Sequence, residues 1–141
     1  MSAFFDTSVL IPIFMEEHEH HERSLAAFLA ADKTSDTCAT HSLAEIYATM
    51  TRLPGRHRLT GDQVMLFIEN IRERLKLVGL TGEEYYEALK EASANRIYGG
   101  TIYDLLIARC AVKAKAETIY TWNLRHFEQF DGDIAERLLT P

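Results

Sequence analysis

Two cysteines, three prolines and a single tryptophan leave this 141-residue chain with little covalent or conformational punctuation. Cys38 and Cys110 are too few for a disulfide framework, and the sequence has neither a charged leader nor a signal-type apolar stretch. The expected setting is therefore a reducing cytoplasm. No apolar run approaches the roughly 20 residues of a membrane-spanning helix, and the run Val9-Leu10-Ile11-Pro12-Ile13-Phe14-Met15 is broken by a proline. Excess positive charge is also lacking. Lys and Arg number 15 against 21 Asp and Glu, for a net charge of −6, so there is no general attraction to nucleic acid or anionic membrane. A polyanionic substrate has to be met by local cations or a metal. Repeats, low-complexity tracts and linkers are absent.

A core, by contrast, is well provided for. Hydrophobic residues make up 47% of a chain long enough for one compact domain over residues 1–141 and too short for two. Residues 2–5 read as a short buried strand. A helix opens at Thr7-Ser8, and Pro12 restricts it to a first-turn proline or a kink. A helix over about 17–31 turns Leu25, Phe28 and Leu29 inward, and residues 34–40 form a second strand. Four capping-box spacings mark helix starts: Ser42 to Glu45, Thr60 to Gln63, Thr81 to Glu84, and Thr101 to Asp104. The first of these helices ends before Pro54-Gly55, and Tyr98-Gly99-Gly100 turns into the last. Residues 75–80 and 118–121 complete the strands, with Asn123 capping a short terminal helix. Strands alternating with helices predict an α/β sandwich, a central and mostly parallel sheet between helical layers.

One residue is out of place in this pattern. Asp104 shares the apolar stripe of Ile107, Ala108 and Ala111, where a carboxylate is costly to bury. Asp6 directly follows the apolar run Ala3-Phe4-Phe5, and Glu45 lies in the first turn of the stripe Leu43, Ile46, Tyr47, Met50. Each acid has a local explanation as a helix cap. Parallel α/β topology nevertheless places strand C-termini and the helix N-termini that follow them along one edge, where ligand sites form. Three carboxylates gathered there repel one another, and a divalent cation removes the conflict. Oxygen ligands without a Cys-His pattern favour Mg²⁺ or Mn²⁺ over zinc, and with them phosphoryl or phosphodiester chemistry.

The segments Phe5-Asp6-Thr7-Ser8-Val9-Leu10, Ser42-Leu43-Ala44-Glu45-Ile46, Thr51-Arg52-Leu53-Pro54, Gly100-Thr101-Ile102-Tyr103-Asp104-Leu105-Leu106-Ile107-Ala108 and Tyr120-Thr121-Trp122-Asn123-Leu124-Arg125-His126-Phe127, in this order and spacing, resemble a PIN domain, in particular the VapC-like toxins of toxin-antitoxin pairs. The likeness covers nearly the whole chain. It implies a PIN-like three-layer sandwich and a Mg²⁺- or Mn²⁺-dependent endoribonuclease with Asp6, Glu45 and Asp104 as metal-binding and catalytic acids. Asn123 stands where many relatives carry a fourth acid; its carbonyl oxygen adds no charge, which weakens the case for a second tightly held ion. The resemblance further implies RNA cleaved to 5′-phosphate and 3′-hydroxyl ends, a cognate antitoxin, and a homodimer. Thr7, Ser8 and Thr121 are candidates to orient waters or carboxylates, and their hydroxyls are equally consistent with turn bonding.

Other features have competing explanations. Arg52, Arg56 and Arg58, with His57, form the densest basic patch, able to grip RNA phosphates if placed near the acids and otherwise an ordinary solvated junction. His18 and Glu22, one helical turn apart, make a transition-metal site conceivable, and a solvated charged face explains the same residues. Trp122, Tyr98 and Tyr103 either stack on unpaired bases or pack the rim. Arg109 and Lys113 are expected to meet solvent or another subunit, and the cysteines to be small buried apolar groups. Two rival readings remain. A phosphatase with an aspartyl nucleophile wants a second acid two residues after Asp6, where Ser8 stands. A receiver-like phosphoacceptor wants an acid beside Asp6 and a lysine after the late strand, where Thr7 and Trp122 stand.

Overall fold

A computed structural model describes residues 2–141. Strands β1 (Ala3–Phe5), β2 (Thr37–Ala39), β3 (Lys76–Val78), β4 (Thr118–Tyr120) and β5 (Leu138–Leu139) form one sheet in the order β3-β2-β1-β4-β5. Every pairing in it is parallel. The helices are α1 (Thr7–Ile13), α2 (His21–Leu29), α3 (Thr40–Thr51), α4 (Gly61–Arg74), α5 (Gly82–Ala94), α6 (Thr101–Lys113), α7 (Leu124–Glu128) and α8 (Gly132–Ala135), with a 3₁₀ turn at Gly55–His57. No described helix is long and apolar enough to cross a membrane.

The alternation of side chains along the strands builds the three layers. Ala3, Phe5 and Cys38 point to one side of the sheet and pack with Val9, Leu10, Phe28, Ile46, Met50, Val64 and Ile71 of α1 to α4. Phe4, Ala39 and Ile119 point to the other and pack with Ile107, Ala108, Ala111, Phe127 and Ile134 of α6 to α8. Phe4 and Phe5 are both fully buried, each worth about 1.5–3 kcal/mol relative to exposure, so a one-residue slip of β1 would lose both packings. That register also fixes where Asp6 leaves the sheet, its backbone N–H donating to Tyr120 O at 3.0 Å.

Several sequence expectations are corrected. Residues 118–121 are not the last strand: β5 follows, but Leu138–Leu139 is too short for a period to register. Pro12 falls in the last turn of α1, where little helical ladder remains to be interrupted. Residues 17–20 are turns and α2 begins at His21, so His18 and Glu22 do not share a helix. Within α2, Ser24 and Phe28 are buried, whereas Leu29 is 54% exposed.

The capping boxes divide cleanly. Thr60 with Gln63 and Thr81 with Glu84 form both reciprocal bonds. The two boxes containing candidate acids do not form. Helix α3 starts two residues before Ser42, behind Ala39, and α6 starts behind Gly100; neither N-terminus carries a side-chain cap bond. Asn123 precedes α7 without capping it through its side chain. Local capping therefore accounts for neither Glu45 nor Asp104.

Candidate functional site

The chain runs outward from β1 through β2 to β3, then returns to the opposite side of β1 to lay down β4 and β5. The reversal lies between β1 and β4, and the crevice beyond their carboxyl ends is where parallel α/β sheets bind ligands. Asp6 emerges there from β1 and Thr121 from β4. Asp6 is only 3% exposed. Its Oδ2 accepts from Ser8 Oγ at 2.7 Å, from Thr121 Oγ1 at 2.8 Å and from Ser8 N at 3.4 Å. None of these bonds uses Oδ1. Burial pushes the carboxyl above its ordinary range, and the Ser8 and Thr121 hydroxyls only partly offset it. Asp6 thus caps α1 and belongs to the crevice at once.

Glu45 is held by a residue next to Asp6. Thr7 Oγ1 lies 2.7 Å from Glu45 Oε1 and 2.7 Å from Ser42 Oγ. Thr7 has one hydroxyl proton for two partners. An ionised carboxylate only accepts, so the proton goes to Glu45 and Ser42 donates to Thr7. This relay ties the first turn of α1 to the first turns of α3. Thr7→Val removes the relay while keeping the residue's shape; the expected result is about a tenfold loss of activity with the fold retained by circular dichroism. Undiminished activity would reduce Thr7 to a turn residue.

Asp104 completes the group. Its side chain is 25% exposed, with Oδ2 3.4 Å from His126 Nδ1. Its carboxyl is also held above the ordinary range, first by burial and then by the negative charge of Asp6, with Glu45 adding to the shift and His126 opposing it. The three acids therefore share one electrostatic field. Each is turned toward its own partner, and among the described residues no three His, Cys, Asp or Glu side chains close into a preformed metal cage. An oxygen-only, mutually repelling donor set of this kind suits a hard divalent ion that keeps several of its waters.

The PIN domain family model matches residues 3–133. This chain belongs to the PIN-domain family. It is similar to Ribonuclease VapC27 of Mycobacterium tuberculosis, with 35% identity over 113 residues covering 79% of this chain and 78% of that protein. It is likewise similar to Ribonuclease VapC40 of the same species, with 31% identity over 126 residues covering 89% and 90%. Among solved structures it resembles that of VapBC2 from Rickettsia felis bound to a DNA fragment from their promoter, with a TM-score of 0.67 over 100% of this chain and 99% of that one. Identity there is 17%, so this likeness concerns the fold, and the parallel sheet between helical layers is the expected PIN architecture.

Around the acids, the PIN fold places the other candidates unevenly. Ser8 and Thr121 bond Asp6, and Thr7 bonds Glu45. Asn123 is exposed next to them, its backbone N–H donating to Thr121 Oγ1 at 3.0 Å. Arg52, Arg56 and Arg58 are exposed beyond the far end of α3; seven residues separate Glu45 from Arg52, about 10 Å of helical rise. Arg58 Nε bonds its own loop at Leu53 O. Arg109 and Lys113 lie away from the acids in surface ion pairs, Arg109 with Glu91 and Asp131, and the exposed Lys113 with Glu84 and Gly79 O. Both cysteines are buried, their thiols pushed up to about 12 for Cys38 and about 11 for Cys110 by desolvation. Ser42 and His126 are neighbours of the acids that sequence reasoning missed. The spacing from Ser42 to Glu45 imitates a capping box, and no spacing marks His126, one helical turn beyond Asn123.

Proposed function

We propose that this protein is a VapC-type PIN endoribonuclease, in which Asp6, Glu45 and Asp104 hold a Mg²⁺ or Mn²⁺ ion for hydrolysis of RNA phosphodiester bonds. The observation that carries the reading is that Asp6 leaves β1 at the sheet's switch point, Thr7 beside it binds Glu45 Oε1 at 2.7 Å, and the Asp104 side chain stands 25% exposed in the first turn of α6, whose N-terminus has no side-chain cap bond. When bound there, a divalent ion supplies charge neutralisation at the phosphate and a more acidic water. The protein's own contribution is positional. Ser8 and Thr121 hold Oδ2 of Asp6, Thr7 fixes one Glu45 oxygen, and the exposed Asn123 adds a neutral amide beside them. No side chain is needed as a nucleophile.

The relatives' names also support an antitoxin partner. A groove of about 670 Å³ between the ends of α1, α3 and α4 is lined by Phe14, Met15, Met50, Leu53, Leu59 and Phe67. An amphipathic antitoxin helix suits this lining, and the net charge of −6 suits a basic one. A homodimer and a cytoplasmic location belong to the same reading. The rival chemistries lose ground at two residues. Ser8, where a phosphatase wants its second acid, is committed to Asp6, and Thr7, where a receiver wants one, is committed to Glu45.

The experiment is incubation of purified protein with mixed RNAs in Mg²⁺, Mn²⁺ or chelator, with analysis of product ends. Cleavage that needs the metal and leaves 5′-phosphate and 3′-hydroxyl ends is expected. Cleavage in chelator with 2′,3′-cyclic phosphate ends would refute the reading, as would hydrolysis of small phosphate esters without RNA cutting.

A further inference from the structure

Two stacked ring pairs lie beside the acids; Trp122 in one of them also packs its inner side against the core, while His20 covers it toward the cavity. On one side, His41 and Tyr103 stack with centroids 5.5 Å apart and planes within 9°. His41 is four residues before Glu45, on the same face of α3, and Tyr103 immediately precedes Asp104. Tyr103 is 50% exposed and belongs to neither core cluster. On the other side, His20 lies flat on Trp122, centroids 3.8 Å apart and planes within 7°. Trp122 follows Thr121 and precedes Asn123. Its backbone N–H donates to Ser8 Oγ at 2.9 Å and its indole Nε1 to Ser24 Oγ at 2.9 Å, which fixes the ring's orientation. The guanidinium of Arg23 sits 5.8 Å from the same ring.

We propose that His41–Tyr103 and His20–Trp122 are docking platforms for unpaired nucleobases of single-stranded RNA, one on each side of the phosphodiester presented to Asp6, Glu45 and Asp104. The inference rests on the ribonuclease reading for its substrate and adds how that substrate is held. Aromatic faces are a recurrent means of gripping single strands in any sequence, because every base has a π-face. The His20–Trp122 pair borders a cavity of about 340 Å³ that also includes Ser8, Pro12, His18 and Asn123. That volume is near the floor of the roughly 300–1,000 Å³ typical of small-ligand pockets and suits one base, not a duplex. Arg23 stands beside this platform as a cation for the adjoining phosphate. These rings also address the charge problem. A chain of net charge −6 gains little from the phosphate backbone, so stacking supplies affinity that electrostatics does not.

Trp122 is the chain's one tryptophan, so its fluorescence reports the second platform directly. Titration of the Asp104→Asn variant with single-stranded oligoadenylate should quench Trp122, while an abasic ribose-phosphate chain of equal length should not. In the otherwise unaltered enzyme, His20→Ala and Tyr103→Ala should each raise KM for a single-stranded substrate about tenfold, with kcat within about twofold. Tyr103→Phe should restore KM, because stacking does not use the hydroxyl. Equal quenching by the abasic chain would overturn the proposal, and so would unchanged KM in both alanine variants. The two readings fail separately: base-dependent quenching without any RNA cleavage sinks the nuclease and keeps the platforms. Metal-dependent cleavage with no quenching and unaltered KM sinks the platforms and keeps the nuclease.

Discussion

Asp104→Asn is expected to abolish RNA cleavage while making the metal-free protein more stable. The catalytic loss should be about 10³-fold or more, the equivalent of about 4 kcal/mol of transition-state stabilisation when one charged ligand of a reaction-centre cation is removed. The gain in stability has the opposite origin. The Asp104 carboxyl is held above its ordinary range by burial and by the charges of Asp6 and Glu45, so its ionised form opposes folding at neutral pH. A neutral isostere removes that opposition, and the metal-free melting temperature should rise by about 2–4 °C. Asp6→Asn should also be inactive, because its amide oxygen can still accept from Ser8 and Thr121 but carries no charge. Scanning calorimetry in chelator and a cleavage assay read the two effects independently. A variant that loses activity and stability together would assign Asp104 a structural role.

Lowering the pH should weaken metal binding steeply. Asp6 and Asp104 both have carboxyls raised above the ordinary value of 3.8, so protons compete with the metal at a pH where free carboxylates have already ionised. Each carboxylate that must shed a proton costs up to a tenfold loss of affinity per pH unit, so the pair approaches a hundredfold per unit where both are protonated. The sign for stability follows. Without metal, the folded state holds more protons than the unfolded state between 3.8 and the raised values, so stability falls as pH rises through that window. With saturating metal the slope should reverse. Mn²⁺ titration calorimetry and thermal melts across this range, with and without chelator, test both statements; a pH-independent affinity would contradict them.

Most of the architecture is legible in the sequence because the physics is local. Buried runs at residues 3–5 and 118–120 and the boxes at Thr60 and Thr81 announce strands and helix starts by composition alone. The boxes at Ser42 and Thr101 mislead because the spacing is equally compatible with residues already inside a helix. Helix α3 begins at Thr40, which turns Ser42 and Glu45 toward Thr7 instead of toward their own backbone. The misplacement of Asp104 in an apolar stripe is the informative signal, and it survives in the structure. What could not be read is long-range. His126 beside Asp104, His20 on Trp122 and His41 on Tyr103 are pairings of residues far apart in sequence or on different elements, and no periodicity encodes them. The fall of Arg52, Arg56 and Arg58 at the distal end of α3 depends on helix direction relative to the sheet, which likewise has no local signature.

If three acids distant in sequence act as one site for a hard cation, Mn²⁺ binding followed by electron paramagnetic resonance will show it. A bound Mn²⁺ signal is expected in the unaltered protein and should weaken at least about tenfold in Asp6→Asn, Glu45→Gln and Asp104→Asn alike, since each removes a charged oxygen ligand. Binding in all three variants that matches the unaltered protein, or no binding in the unaltered protein itself, would contradict it.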